Sequence, residues 1–376
     1  MSADRVNYLN IGLMVLSLAA ACVLPFEVFL FSYAVLGPLH YLTEISWLHD
    51  RRYFSPGRWD ALVLLGFAFL FLLSASALVF GEGATAWMVE RGGEPLLAFL
   101  ARNGADVALL AFGSALVFVL TQRTYARIGG LALLLLAAYL FHVPEDPVFA
   151  VSSQADMDAY VADLNARWMH PYFAFAVYLP TLLHVYVFTG AFLLYGALKR
   201  SSRSGYAAFG VFVVCALACF MIPPIGTQPT AWAQTNYAGP FVDLSLALLL
   251  HVGGLDWGDL ARMGRADQAF LFTDALAIAA ARFIAFAYTY HYLNWFSKTE
   301  VIRWHDVPRA RLIGVGVVWA ISVGLFFYDY AVGFRWLFFL SFAHVVLEFP
   351  LNHKSFLGIG NELARRVRTF RALSQR

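Results

Sequence analysis

Ten apolar stretches, each close to the length a helix needs to cross hydrocarbon, constrain this chain more than anything else in its sequence. They fall at roughly 7–24, 27–48, 60–80, 105–121, 127–142, 172–197, 206–222, 268–296, 310–331 and 335–352. A spanning helix takes about 20 mainly apolar residues. The composition agrees: 61% of residues are hydrophobic and 13% charged, where soluble domains carry about 25% charged residues. The expected fold is all-α, a polytopic integral membrane bundle of about ten transmembrane helices. A further apolar stretch, 240–252, is about half a span and runs into His251-Val-Gly-Gly, so it reads as a re-entrant or interfacial segment.

The basic residues orient the bundle. Arg51, Arg52 and Arg58 share one connection, Arg123 and Arg127 a second, Lys199, Arg200 and Arg203 a third, and Lys298, Arg303, Arg309 and Arg311 a fourth. The C-terminal stretch holds Lys354, Arg365, Arg366, Arg368, Arg371 and Arg376. Ten spans put all five clusters on one side, which the positive-inside rule makes cytoplasmic. The other side carries Glu82, Glu90, Glu94, Glu145, Asp146, Asp156, Asp158 and Asp163. The expected location is a bacterial-type inner or cytoplasmic membrane, crossed many times, with both termini cytoplasmic.

One transmembrane domain is expected over 1–353, followed by a basic amphipathic cytoplasmic tail over 354–376 that anionic lipid would attract. The first apolar run reads as a first helix and not as a removable signal. Long outer loops fall at 82–104, 143–171 and 223–267. The second should contain an amphipathic helix from Met157 to Trp168, and the third mixes polar and aromatic residues (Thr227 to Thr230, Trp232 to Asn236) like a cap over a cavity. Cys22, Cys215 and Cys219 lie in apolar runs and read as core residues. No nucleotide loop is present and no nucleic-acid partner is expected; the expected partners are membrane lipid and a hydrophobic small molecule.

Within this frame one pattern occurs twice. His40-Tyr-Leu-Thr-Glu44-Ile-Ser-Trp-Leu-His49 and His344-Val-Val-Leu-Glu348-Phe-Pro-Leu-Asn-His353 share the spacing H-x3-E-x4-H, each at the inner end of an apolar run. Ionisable groups inside hydrocarbon are costly unless paired, solvated or bound to something. His40, His184, His291 and His344 lie on four different segments and reach a common level in the inner half of the bundle. Neutral imidazole is the commonest protein ligand for iron, copper and zinc. Residues i and i+4 share a helical face, so Glu44 lies beside His40 and Glu348 beside His344. Each carboxylate could bind metal or orient a neighbouring imidazole.

The candidate metal ligands are therefore His40, Glu44, His184, His291, His344 and Glu348. His49 and His353 rank below them, because nine positions turn them to the opposite face. His142, His170 and His251 form a separate outer group. Plainer readings stand beside this one. A lone histidine on an apolar helix ordinarily makes packing hydrogen bonds, and the two His/Glu pairs could form a structural network. Asp274 and Arg282 need partners across helices, and Arg282 could neutralise Glu44 or Glu348. Tyr288, Tyr290, Tyr292 and Asn294 could line a pocket around His291.

Gly37-Pro-Leu-His40-Tyr-Leu-Thr-Glu44 resembles the Pro-His-Gly-x-x-Asp element of the bacterial Brp/Blh-like membrane carotene-cleaving dioxygenases, without the Pro-His-Gly order and with Glu for Asp. Tyr290-His291-Tyr292 is similar in aromatic setting to that family's second histidine element. The resemblance implies a polytopic membrane protein holding non-haem iron by histidines. The H-x-x-H-H boxes of membrane desaturases do not occur.

The leading expectation is a membrane-bound metal-dependent oxidoreductase, a non-haem iron oxygenase acting on a lipid or isoprenoid. Its transition metal is first of all Fe(II), with zinc or a dinuclear iron centre as alternatives. Two other readings remain: a proton-coupled transporter using the His/Glu pairs, Asp274 and Arg282 as a relay, and a b-type haem protein. A retinal photoreceptor is disfavoured, since no lysine lies within a span.

Overall fold

The computed structural model describes residues 2–142, 154–226, 228–262, 268–298, 303 and 305–374. Every regular element among them is helical. In chain order these are α1 (Ala3–Val23), α2 (Pro25–Asp50), α3 (Asp60–Ser74), α4 (Ser76–Met88), α5 (Glu94–Arg102), α6 (Gly104–Leu120), α7 (Thr124–Phe141) and α8 (Gln154–Trp168). There follow α9 (Pro171–Arg200), α10 (Arg203–Met221), α11 (Ala231–Tyr237), α12 (Val242–His251), α13 (Trp257–Arg262), α14 (Ala275–Ser297), α15 (Arg309–Tyr328) and α16 (Tyr330–Ser374).

Seven of these, α1, α2, α7, α9, α10, α15 and α16, are long and apolar enough to cross a membrane. An eighth appears if α6 and the helix before it, bent by 67°, count as one span. Of the remaining expected spans, α3 is short, with 15 residues. α14 has length enough, with 23 residues, but holds Arg282 and several polar side chains. The stretch expected as a half-span is α12, whose 10 residues rise about 15 Å. On α7 no residue is buried, and Leu133, Leu135, Leu136 and Leu140 all face outward. Contiguous apolar surface of that kind needs an apolar solvent or partner.

α14 forms the centre. Sixteen of its residues are buried, and alanines at 277, 279, 280, 281, 285 and 287 let α1, α2 and α10 approach closely. One apolar core gathers α1, the outer half of α2, α10 to α12 and α14. A second gathers α3, α6 and the middle of α16. Three helices, α2, α9 and α16, contribute to both cores and cross the seam between them.

The basic clusters meet at one end of the bundle. Arg311 pairs with Asp50, Arg127 with Asp60, and Lys354 lies over the Phe54 ring. Arg366 donates to the Leu198 carbonyl and the Ser201 hydroxyl, joining the end of α16 to the end of α9. No break marks the boundary expected at 354: α16 runs on as one 45-residue helix through Pro350 to Ser374. The expected amphipathic helix is α8, whose Asn165 accepts from the Trp257 amide. Glu145, Asp146, Thr227 and Arg376 lie outside the described residues.

The two charges at the start and in the middle of α14 are structural. Asp274 is the N-cap of the helix and accepts from the amides of Leu276 and Ala277. Arg282 does not neutralise Glu44 or Glu348. Its guanidinium donates to the carbonyls of Ile222 (2.7 Å), Pro223 (3.2 Å) and Cys22 (3.2 Å). These carbonyls end α10 and α1, where the last turns lack backbone partners and the helix dipoles attract a cation.

Candidate metal centre

Four helices deliver one histidine each to the seam. His40 comes from α2, His184 from α9, His291 from α14 and His344 from α16, and all four are buried. One ring nitrogen from each lies within 4.8 Å of all the others. His40 Nε2 is 3.0 Å from His291 Nε2, and His184 Nε2 is 3.1 Å from His344 Nε2. The group could hold a metal ion.

Local backbone helps bring the rings inward. His184 sits inside a π-helical stretch, Leu179–Phe188, opened by Pro180 and by Thr181 at φ −119° and ψ −106°. His40 follows a second π-helical stretch, Ser32–Leu36, with Pro38 in the next turn. A proline removes an amide donor and crowds the carbonyl four residues back, which widens the turn. Such widened turns recur at functional sites.

The two copies of the H-x3-E motif are used differently. Glu44 Oε2 is 3.1 Å from His40 Nε2, the nitrogen that faces the other rings. Glu348 reaches across helices instead, its Oε2 lying 3.1 Å from Nδ1 of His184, behind the ring. Glu44 is therefore placed to join a ligand set, and Glu348 to orient a ligand. Neither oxygen makes a well-formed hydrogen bond, although both residues are at most 3% exposed. His291 Nδ1 has its own support, the Thr189 hydroxyl at 2.8 Å.

His49 and His353 do not join the group. His49 is exposed, its Nδ1 3.4 Å from the Tyr53 hydroxyl. His353 donates through Nε2 to the Phe112 carbonyl at 2.8 Å, tying α16 to α6. The outer histidines are also accounted for in part: His142 pairs with Asp106 at 2.7 Å, and His251 bonds the Ala247 and Trp168 carbonyls.

Several residues around the centre escaped the sequence reading. Tyr41 stacks on His344, with ring centroids 4.1 Å apart, and its hydroxyl meets that of Tyr292 at 2.7 Å. Trp295 packs edge-on to His40 and donates to Thr43. Thr189 and Tyr41 carried no spacing signal. They are ordinary residues made relevant by helices that only the folded chain brings together. No protein-family model, curated protein or solved structure matches the chain.

Proposed function

We propose that this chain is a ten-span integral membrane metalloenzyme, an iron-dependent oxidoreductase acting on a lipid-like substrate, with its basic end in the cytoplasm. The observation that carries the reading is the convergence of four buried imidazole nitrogens beside two buried carboxylates, each with one oxygen that lacks a hydrogen-bond partner. Buried charge is tolerated only when compensated. Four neutral imidazoles, two carboxylates and one divalent cation sum to zero charge. Arg282, the buried cation the sequence had offered for that role, is spent on helix ends. Among the described residues only His40 and His184, each 3.1 Å away, stand beside them as ionisable partners.

A mixed set of imidazoles and carboxylates suits iron. A b-type haem fits poorly, because four converging rings occupy the plane a porphyrin would need. Bound iron would supply the redox chemistry. The chain's residues hold it, set imidazole tautomers through Glu348 and Thr189, and exclude bulk water.

Metal analysis of the purified chain tests this. About one iron per chain is expected, lost in His184→Ala and His344→Ala but retained in His49→Ala and His353→Ala. Protein that purifies metal-free and takes up no iron on anaerobic titration would overturn the reading.

A further inference from the structure

Two cavities flank the histidine group. One, of about 420 Å³, lies away from the basic end among Tyr33, Phe71, Phe241, Phe334 and Phe342. It comes within a helical turn of His184, His291 and His344, at Thr181, Tyr288 and Ser341, yet none of the four rings lines it. The other, of about 250 Å³, opens on the centre itself, with His40, His291, Glu44 and Glu348 in its wall. From there it runs between Trp47, Phe192, Trp295 and Leu351 to Lys298.

Lys298 ends α14 at the basic end of the bundle. It and Phe192 also border a third cavity, of about 270 Å³, which has Lys199 and Arg200 in its wall. The inner cavity thus has three parts in series. A cation stands at its mouth, aromatic and aliphatic walls follow, and the histidine centre closes the deep end. Lys298 is seven residues beyond His291, about 10 Å along the helix. No carboxylate among the described residues lies within ion-pair distance of its ammonium group. Once a divalent ion balances Glu44 and Glu348, Lys298 is the uncompensated charge of the cavity. Partial burial lowers its ammonium group to about 8, which leaves it cationic at neutral pH.

We infer that this cavity binds an anionic amphiphile, with a carboxylate or phosphate headgroup on Lys298 and an apolar chain directed along Trp47 and Trp295 to the histidines. The inference names the substrate class of the proposed metal centre and rests on that reading for the direction of the chain. It also gives the entry side: the basic end, with Lys199 and Arg200 drawing the headgroup in. A neutral hydrocarbon would gain nothing from Lys298.

Tryptophan quenching tests it, because Trp47 and Trp295 both line the cavity. Purified full chain is titrated with ω-bromodecanoate, ω-bromodecyl phosphate and ω-bromodecanol. Quenching is measured against a Trp47→Phe/Trp295→Phe variant to remove general partition. Saturable quenching by at least one anion about tenfold tighter than by the alcohol is expected. The tighter anion identifies the headgroup. Lys298→Gln should abolish the preference and Lys298→Arg should keep it. Equal affinity for acid, phosphate and alcohol would overturn the inference, as would a preference that survives Lys298→Gln or persists without the two tryptophans. Iron content measured on the same samples separates the two readings. Iron without anion preference sinks only the amphiphile, and anion preference without iron sinks only the metal.

Discussion

Replacing Glu348 by Gln separates a metal site from a structural ion pair, because only the ion pair makes the change strongly destabilising. The carboxylate lies 3.1 Å from His184 Nδ1, is 3% exposed, and has no other well-formed contact at Oε2. If a protonated His184 and Glu348 form a buried salt bridge, removing one partner strands the other charge and costs about 3–5 kcal/mol. If Glu348 instead orients a neutral His184 for metal, the metal-free side chain can shed its charge by taking up a proton. The isosteric amide then costs little, within about 1 kcal/mol. The same change should weaken the metal site about 10–100-fold, the usual effect of removing a carboxylate behind a ligating histidine. The assay has two arms. Chelator-stripped wild type and Glu348→Gln are compared by thermal unfolding, and both are titrated anaerobically with Fe(II) against a chromophoric competitor. A variant that melts within about 1 kcal/mol of wild type when stripped but binds Fe(II) at least about tenfold more weakly is expected. A variant that melts several kcal/mol lower with unchanged affinity would refute the metal-orienting role.

Arg282→Met should cost about 3 kcal/mol, since a buried guanidinium leaves three carbonyls at the ends of α1 and α10. Arg282→Lys should recover only part of it, because an ammonium cannot fork between two helices; both variants should retain iron, and thermal unfolding with metal analysis reads both effects. A Cβ on Gly358 would overlap the Tyr195 ring, whereas one on Gly360 meets nothing within 4 Å. Gly358→Ala should therefore destabilise by about 1–3 kcal/mol in the same unfolding assay, and Gly360→Ala should stabilise by a few tenths. Lys298 shares its cavities with Glu44, Glu348, His291, Lys199 and Arg200, and burial holds it near 8 instead of 10.5. Anion affinity in the quenching assay should fall as pH rises through 8. The unfolded chain holds more protons on this group between about 8 and 10.5, so stability should rise with pH across that window and lose the trend in Lys298→Gln.

Helical phase and depth made much of the centre legible in advance. The pairing of Glu44 with His40 follows from a spacing of four, and the opposite facing of His49 from a spacing of nine. The four histidines could be put at one level because apolar runs of known length set a common ruler. Phase on one helix says nothing of the neighbour, however. Glu348 has the same spacing from His344 as Glu44 from His40, yet it serves His184 on another helix. Arg282 was similarly ambiguous. A lone charge in an apolar run demands a partner, but backbone carbonyls at the ends of two distant helices leave no mark in a sequence.

What the amino-acid sequence determined by itself is the helical class, the grouping of its basic clusters and the set of histidines able to meet. All of these follow from local periodicity and from the cost of placing polar groups among apolar ones. Only the tertiary structure decided which nitrogens converge, which carboxylate stands in front of a ring and which behind it, and that Lys298 faces the same cavity as His291. Those relations depend on how α2, α9, α14 and α16 rotate and translate against one another. Packing of whole helix faces sets that rotation, and no single segment encodes it.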